Sequence, residues 1–321
     1  METTKTLQLS TFWQQGIFDS FQGVDRVEIH FTAFNQAFID APSIVVVPGR
    51  SESYLKYQEL AFELYEQGYS IFIIDHRGQG LSGRLLDHKN KGYVKHFQDY
   101  VADLRTLVEN VIPRHSSTKP YLLAHSMGGA IATRLMQDAP EAIKAAVISS
   151  PMLGFNSGAL PEPVARVLVK SQQKLNSLIS KTPWYFFGQS DYQAISFADN
   201  RLSHCPKRYQ SFYQLYESNN DIQLGGVTGH WLLESIAAQQ EIFSKIALLK
   251  TPLLLLQAGS DSVVSLQAQD DFCQQLHREQ PLSCPEGKPV KIDGAYHELF
   301  FELDKYRDVA LTQTLAWFKA H

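Results

Sequence analysis

Cysteine is scarce. Cys205, Cys273 and Cys284 are too few and too scattered for a disulfide framework or a thiolate zinc site, and Cys273 and Cys284 are read as two reduced thiols. Long apolar runs are missing as well. Nowhere do 18 apolar residues follow one another, so no segment is expected to cross a membrane as a helix. The first ten residues, Met1-Glu-Thr-Thr-Lys-Thr-Leu-Gln-Leu-Ser10, lack the apolar centre of a secretory signal. Basic residues do not predominate: 29 Lys and Arg against 33 Asp and Glu leave a net charge of −4. That balance argues against a nucleic-acid binder held by phosphate contacts. Neither an internal repeat nor a low-complexity tract occurs. What remains is a globular chain, expected in the cytoplasm. Its 321 residues suffice for one large α/β domain with an insertion, or for two domains.

What is present is an alternation of strands and helices. Residues 16–34 read as an antiparallel hairpin, with Val27, Ile29 and Phe31 alternating. Ser43–Val47 and Ser70–Ile74 are apolar throughout, and a helical pattern from Tyr54 to Leu64 lies between them. Helical spacing returns from Val94 to Ile112, before the short strand at Tyr121–Leu123. Another strand, Ala145–Ile148, follows. The alternation breaks after Pro151 and resumes with a helix near His230–Leu248. A strand at Pro252–Leu256, a helix over 265–278, a strand at Pro289–Ile292 and a helix from Asp304 to Lys319 complete the chain. Strands apolar on both faces and alternating with helices predict a parallel, doubly wound sheet covered on both sides. The expected organisation is a core of residues 1–152 and 229–321, interrupted by a cap at 153–228.

In such sheets the working groups stand just past the carboxyl ends of the strands. Those positions hold Gly49-Arg50, Asp75, Ser126, Asp261 and His297. Ser126 lies in Ala124-His-Ser-Met-Gly128, a strand–turn–helix stretch that fits a nucleophile elbow, with Ala124 where a glycine is usual. Its bland alternative is a serine N-cap. Ser126, Asp261 and His297 follow one another in the order expected of an acyl-transfer site on such a sheet. His297 would take the serine proton and return it to the leaving alcohol, while Asp261 would hold the imidazole's tautomer. The N–H groups of Arg50 and Met127 would form the oxyanion hole. Asp270, Asp271 and Asp293 compete for the acid's place, but Asp261 follows a buried strand and precedes a helix. His76 and His125 are read as structural, and Asp75 as bracing its loop against Arg77.

Pro48-Gly-Arg-Ser-Glu-Ser-Tyr54, Asp75-His-Arg-Gly-Gln-Gly-Leu-Ser82, Leu123-Ala-His-Ser-Met-Gly-Gly129 and Gly294-Ala-Tyr-His-Glu298 resemble the monoglyceride-lipase-like α/β-hydrolases. Within that branch they are most similar to the bacterial, inner-membrane-associated lysophospholipases. The resemblance covers nearly the whole chain. It implies an eight-stranded sheet, a cap after the sixth strand, and no cofactor or metal. The family's usual His-Gly is Pro48-Gly49 here, and Arg50 stands where a small residue is common.

The expected activity is therefore a serine esterase acting on single-chain lipids, lysophospholipid before monoacylglycerol, with a general carboxylesterase as a further alternative. Trp184, Phe186 and Phe187 are candidates for lining an acyl tunnel, and Arg50 for meeting a substrate phosphate. An ion pair between Arg50 and Glu52 is the competing structural reading. A proline-type aminopeptidase would need acidic cap residues, and residues 163–190 contain none. A non-catalytic binding module commonly lacks part of the triad, whereas all three members are present. The stretch Pro163–Lys181 reads as a helix with Arg166, Lys170, Lys174 and Lys181 within about 80° of one another. Val164, Val167, Leu168, Leu175, Leu178 and Ile179 fill another arc. That basic arc is a candidate for docking on an anionic membrane surface at the inner face of the inner membrane.

Overall fold

The computed structural model describes residues 2–156 and 162–321, without the side chains of 2–6 and 162. Helix α1 (Glu2–Gln14) comes first. No helix is legible there in the sequence, because its apolar residues form no single stripe. It is fastened at its end by Phe12, whose ring stacks on Phe34 at 4.4 Å. The expected hairpin follows as β1 (Ile17–Gln22) and β2 (Glu28–Phe34), paired antiparallel.

The buried core strands are β3 (Ser43–Val47), β4 (Ser70–Ile74), β5 (Tyr121–His125) and β6 (Ala146–Ser149), with α2 (Gln58–Glu66) between β3 and β4. Helix α3 (Phe97–Thr106) precedes β5, and α4 (Met127–Asp138) follows it. After β6 the chain inserts α5 (Glu162–Ile179) and α6 (Pro206–Ser218) before α7 (Gly229–Ser244). The sheet is completed by β7 (Leu253–Ala258), α8 (Leu266–Glu279), β8 (Val290–Ile292) and α9 (Asp304–Ala320).

Strand order is β1-β2-β4-β3-β5-β6-β7-β8. The first two pairings are antiparallel and the rest parallel, so the expected eight-stranded, mostly parallel sheet with an insertion after its sixth strand is present. Because successive side chains leave a strand on opposite faces, alternate residues feed two separate cores. Val45, Val47, Phe72 and Ile74 meet the side of α3, α4, α7 and α8. Ile44, Val46, Ile71 and Ile73 meet the side of α1, α2 and α9. Register sets the site: Val47 lies opposite Ala124 and His125 opposite Ser149, so the turns after β3, β5 and β6 emerge side by side.

Candidate active site

Strand β5 ends at His125, and α4 starts at Met127, leaving one residue to reverse the chain. That residue, Ser126, has φ 52° and ψ −117°, a conformation a non-glycine residue adopts only when its surroundings impose it. Close packing imposes it here. A Cβ on Gly128 would lie 2.2 Å from the Val47 carbonyl oxygen, and one on Gly129 would lie 2.7 Å from the Pro151 Cβ. The Ser126 side chain does not cap α4. Its Oγ lies 3.0 Å from His297 Nε2 instead, which disposes of the N-cap alternative.

His297 Nδ1 is 2.6 Å from Asp261 Oδ2. The other carboxylate oxygen of Asp261 accepts the N–H groups of Val263 (2.7 Å) and Val264 (3.2 Å). Burial pushes the Asp261 carboxyl up, but the His297 hydrogen bond and charge, with the two backbone donors, outweigh it and hold the group below its ordinary value. Ser126, His297 and Asp261 are all buried. The sequence thus brings three residues from three loops into one hydrogen-bonded line. Asp293 stands apart, exposed and 3.1 Å from Lys291. Asp270 binds Gln257 and Asp271 binds Gln267.

The turn after β3 runs against this line. A Cβ on Gly49 would lie 3.2 Å from the Ser126 Cβ and 3.0 Å from the His125 ring, so the turn that leads to Arg50 runs tight against both. Gly49 N–H is fixed by Glu52 Oε2 at 2.5 Å, and Gln79 Nε2 donates to the carbonyls of Gly49 (2.7 Å) and Glu52 (2.9 Å). The Arg50 side chain makes no pair with Glu52. Its Nη2 donates to the Gly225 carbonyl, Nη1 to Ser51 Oγ at 2.9 Å, and the guanidinium lies 5.5 Å from the Trp231 ring centre. Its Nε is buried and has no partner among the described residues. Burial lowers the guanidinium to about 10, so it stays charged at neutral pH.

Asp75 does brace its loop, but not against Arg77. It accepts from Tyr54 N–H (2.5 Å), Leu81 N–H (2.7 Å) and Ser53 Oγ (3.0 Å). Arg77 instead forms two hydrogen bonds to Asp103, at 2.6 and 2.7 Å. Asp103 lies on α3, whose inward face the local sequence around Asp75 does not reveal. His76 and His125 are buried, and burial lowers them to about 4 and about 3, which keeps both rings neutral.

A cluster that the sequence reading missed lies behind the triad. Ligand atoms of Glu52, His125 and Glu298 are all within 4.8 Å of one another, a spacing that could hold a metal. The place is taken by Lys56, whose Nζ is 2.6 Å from Glu52 Oε1 and 2.6 Å from Glu298 Oε1. The donor set therefore fits an ammonium better than an added cation.

Trp184 and Phe186 are partly buried, whereas Phe187 is exposed. Phe197 packs on Tyr209, and Tyr192 faces Tyr216, so part of the aromatic content is packing within the insertion. Helix α5 buries Val169, Gln172 and Asn176, and its apolar Val164, Val167, Leu168, Leu175, Leu178 and Ile179 face solvent. Lys170, Lys174 and Lys181 are exposed beside them, and Arg166 is half-buried. Cys273 and Cys284 are buried free thiols.

Over residues 41–304 the chain matches the family described as serine aminopeptidase, S33. It is 38% identical to lysophospholipase L2 of Escherichia coli K12, across 98% of this chain and 90% of that one. It is 27% identical to the monoglyceride lipase of Mus musculus, across 85% and 81%. Among solved structures, a soluble variant of the monoglyceride lipase of Saccharomyces cerevisiae superposes with a TM-score of 0.68 at 15% identity, covering 96% of each chain.

Proposed function

Since the chain belongs to this α/β-hydrolase family, we propose that it hydrolyses the acyl ester of single-chain lipids through Ser126, His297 and Asp261, with lysophospholipids the preferred class. The observation that carries the reading is the unbroken line from the strained Ser126 hydroxyl through His297 to Asp261. Ser126 Oγ attacks the ester carbonyl as His297 Nε2 takes its proton. The resulting oxyanion is met by the N–H groups of Met127 and Arg50, the first of them at the N-terminus of α4. Collapse of the tetrahedral intermediate expels the alcohol, which receives the proton from His297. Water repeats the sequence on the acyl-enzyme and releases the fatty acid. Asp261 keeps Nδ1 protonated and stabilises the imidazolium that forms. Residues 153–228 form the cap of this reading, of which 157–161 lie outside the described residues, and Trp184, Phe186 and Phe187 are its acyl-contacting side chains.

Two observations favour a phosphate-bearing substrate over monoacylglycerol. Identity is higher to lysophospholipase L2 than to a monoglyceride lipase. Arg50 brings a charged guanidinium to the oxyanion turn, and its hydrogen-bond partners are a carbonyl and a hydroxyl rather than a carboxylate. Guanidinium donors match a phosphate diester well. The test is product mass spectrometry after incubation with a mixed lysophospholipid and monoacylglycerol panel. Fluorophosphonate labelling of the parent and of Ser126→Ala reports on the nucleophile. Release of free fatty acid first from lysophospholipids is the expected result, and a chain labelled at no serine would defeat the catalytic assignment.

No described helix is long and apolar enough to cross a membrane. We propose instead that α5 rests on the surface of an anionic leaflet. On a helical wheel the exposed apolar arc lies between the basic arc and the buried stripe, so charge and apolar surface face outward together. Residues 163–190 contain no acidic residue, although Glu162 opens the helix. Lys170 and Lys174 of α5 and Lys181 just past its end are the exposed basic residues, and at about 1 kcal/mol each near such a surface they contribute at most roughly 3 kcal/mol, which is reversible binding. Co-sedimentation at low salt should show more chain on anionic than on zwitterionic vesicles. Replacing Arg166, Lys170, Lys174 and Lys181 with Gln should remove that difference and spare hydrolysis of a short soluble ester.

A further inference from the structure

Lys56 is a buried ammonium whose side chain is 2% exposed. It bridges two carboxylates from distant parts of the chain, Glu52 in the oxyanion turn and Glu298 next to His297. Two rings close over it, Phe301 at 4.3 Å and Phe212 of α6 at 4.7 Å. Glu52 in turn fixes the Gly49 N–H and accepts Tyr57 OH at 2.5 Å. The His125 ring fills the space between this cluster and the triad, 4.8 Å from the His297 ring.

We infer that Lys56 is a positioning residue: its ammonium, shared by Glu52 and Glu298, sets the distance between the oxyanion turn and the loop that carries His297. The inference rests on the catalytic reading of Ser126 and His297. Among the described residues, the ion pairs that join the two loops are those of Lys56. Without it, two buried carboxylates would face each other, and like charges so close cannot both ionise without pushing the loops apart. Burial works against the charge on Lys56, but Glu298 and Glu52 outweigh it and raise the ammonium above its ordinary value. Glu298, raised by burial with the Glu52 charge adding to it, is the carboxylate that would take up a proton. The other titratable groups around the cluster are Tyr57, His76, His125 and His297, with Tyr209 and Tyr216 from α6.

The test compares Lys56→Met, Lys56→Arg and the double variant Lys56→Met/Glu298→Gln on a short soluble ester between pH 5.5 and 9. For Lys56→Met, kcat is expected to fall roughly 10–100-fold, the effect of a small misplacement of reacting groups, with KM nearly unchanged. The loss should deepen as pH rises, because ionisation of the second carboxylate drives Glu52 and Glu298 apart. Glu298→Gln in the same chain removes that like charge and should remove the extra pH dependence. Lys56→Arg should restore most of kcat. If Lys56→Met fails to fold, the Glu298→Gln single variant carries the test, with the same expected split between kcat and KM. A parent-like kcat in whichever of the two is measured overturns the inference, and so does a Lys56→Met loss equal at every pH and untouched by Glu298→Gln. A parent that fluorophosphonate does not label would instead overturn the catalytic reading beneath it.

Discussion

Gly128 touches the backbone of Val47 so closely that a methyl group on it would sit 2.2 Å from the Val47 carbonyl oxygen and 2.4 Å from that of Pro48. The obstacle is main chain on both sides, so neither neighbour can swing away. Gly128→Ala should therefore lower stability by about 1–3 kcal/mol or more, the usual cost of overpacking. It should also reduce fluorophosphonate labelling of the folded fraction, because relief of the clash moves Ser126 off its turn. Thermal melting alongside labelling rate checks both.

Ser126→Ala and His297→Ala should each lower kcat by about 10⁴–10⁶, and the double variant by little more, because the groups act as a unit. Asp261→Asn should lower it roughly 10⁴-fold, since the amide favours the wrong imidazole tautomer. Asp293→Asn, at an exposed residue paired with Lys291, should change kcat little. Steady-state kinetics on all five variants decides the identity of the acid.

Arg50→Gln should reduce kcat/KM for lysophospholipids roughly tenfold or more, the loss of one charge-assisted hydrogen bond, and leave monoacylglycerol turnover nearly as it was. The backbone N–H is retained, so the oxyanion turn is not the variable. Equal losses on both substrates would assign the guanidinium to its contacts with Gly225 and Trp231.

Asp75 supplies a pH dependence of stability. Burial raises its carboxyl to about 7, against the lowering effect of the Leu81 and Tyr54 N–H groups and the Ser53 hydroxyl. A group raised in the fold binds its proton more tightly folded than unfolded. Its contribution is therefore fully present at low pH and lost as pH rises from the ordinary carboxylate range to about 7. Between pH 5 and 7 this amounts to at most about 3 kcal/mol. The melting temperature of Asp75→Asn should change less from pH 5 to pH 8 than that of the parent, whatever its absolute value.

Strand ends carried most of what was legible in the sequence. Ser43–Val47, Ser70–Ile74 and the run ending at His125 are buried on both faces, so their apolar composition and length marked them, and Ser126, Asp261 and His297 follow from standing at such ends. Glu52 and Lys56 were visible as an i, i+4 pair, yet Glu298 is 242 positions from Lys56, and no local pattern announces a contact at that separation. Arg77 was misassigned for the same reason, its partner Asp103 lying on a helix whose inward face depends on the fold. Helix α5 is legible as a helix, but its buried side is not. Its inward stripe is Val169, Gln172 and Asn176, two of them polar, so apolar composition does not mark it.

The turn at Ser126 sets activity against durability. A serine at φ 52° and ψ −117° holds strain of about 1–3 kcal/mol that glycine would not. The added chain entropy of glycine offsets only about 0.5–1 kcal/mol of the relief. Ser126→Gly should therefore melt above the parent while losing turnover to the same extent as Ser126→Ala. A library of this protein selected for heat resistance alone would enrich for loss of the proposed nucleophile, so any such selection has to score turnover in the same round.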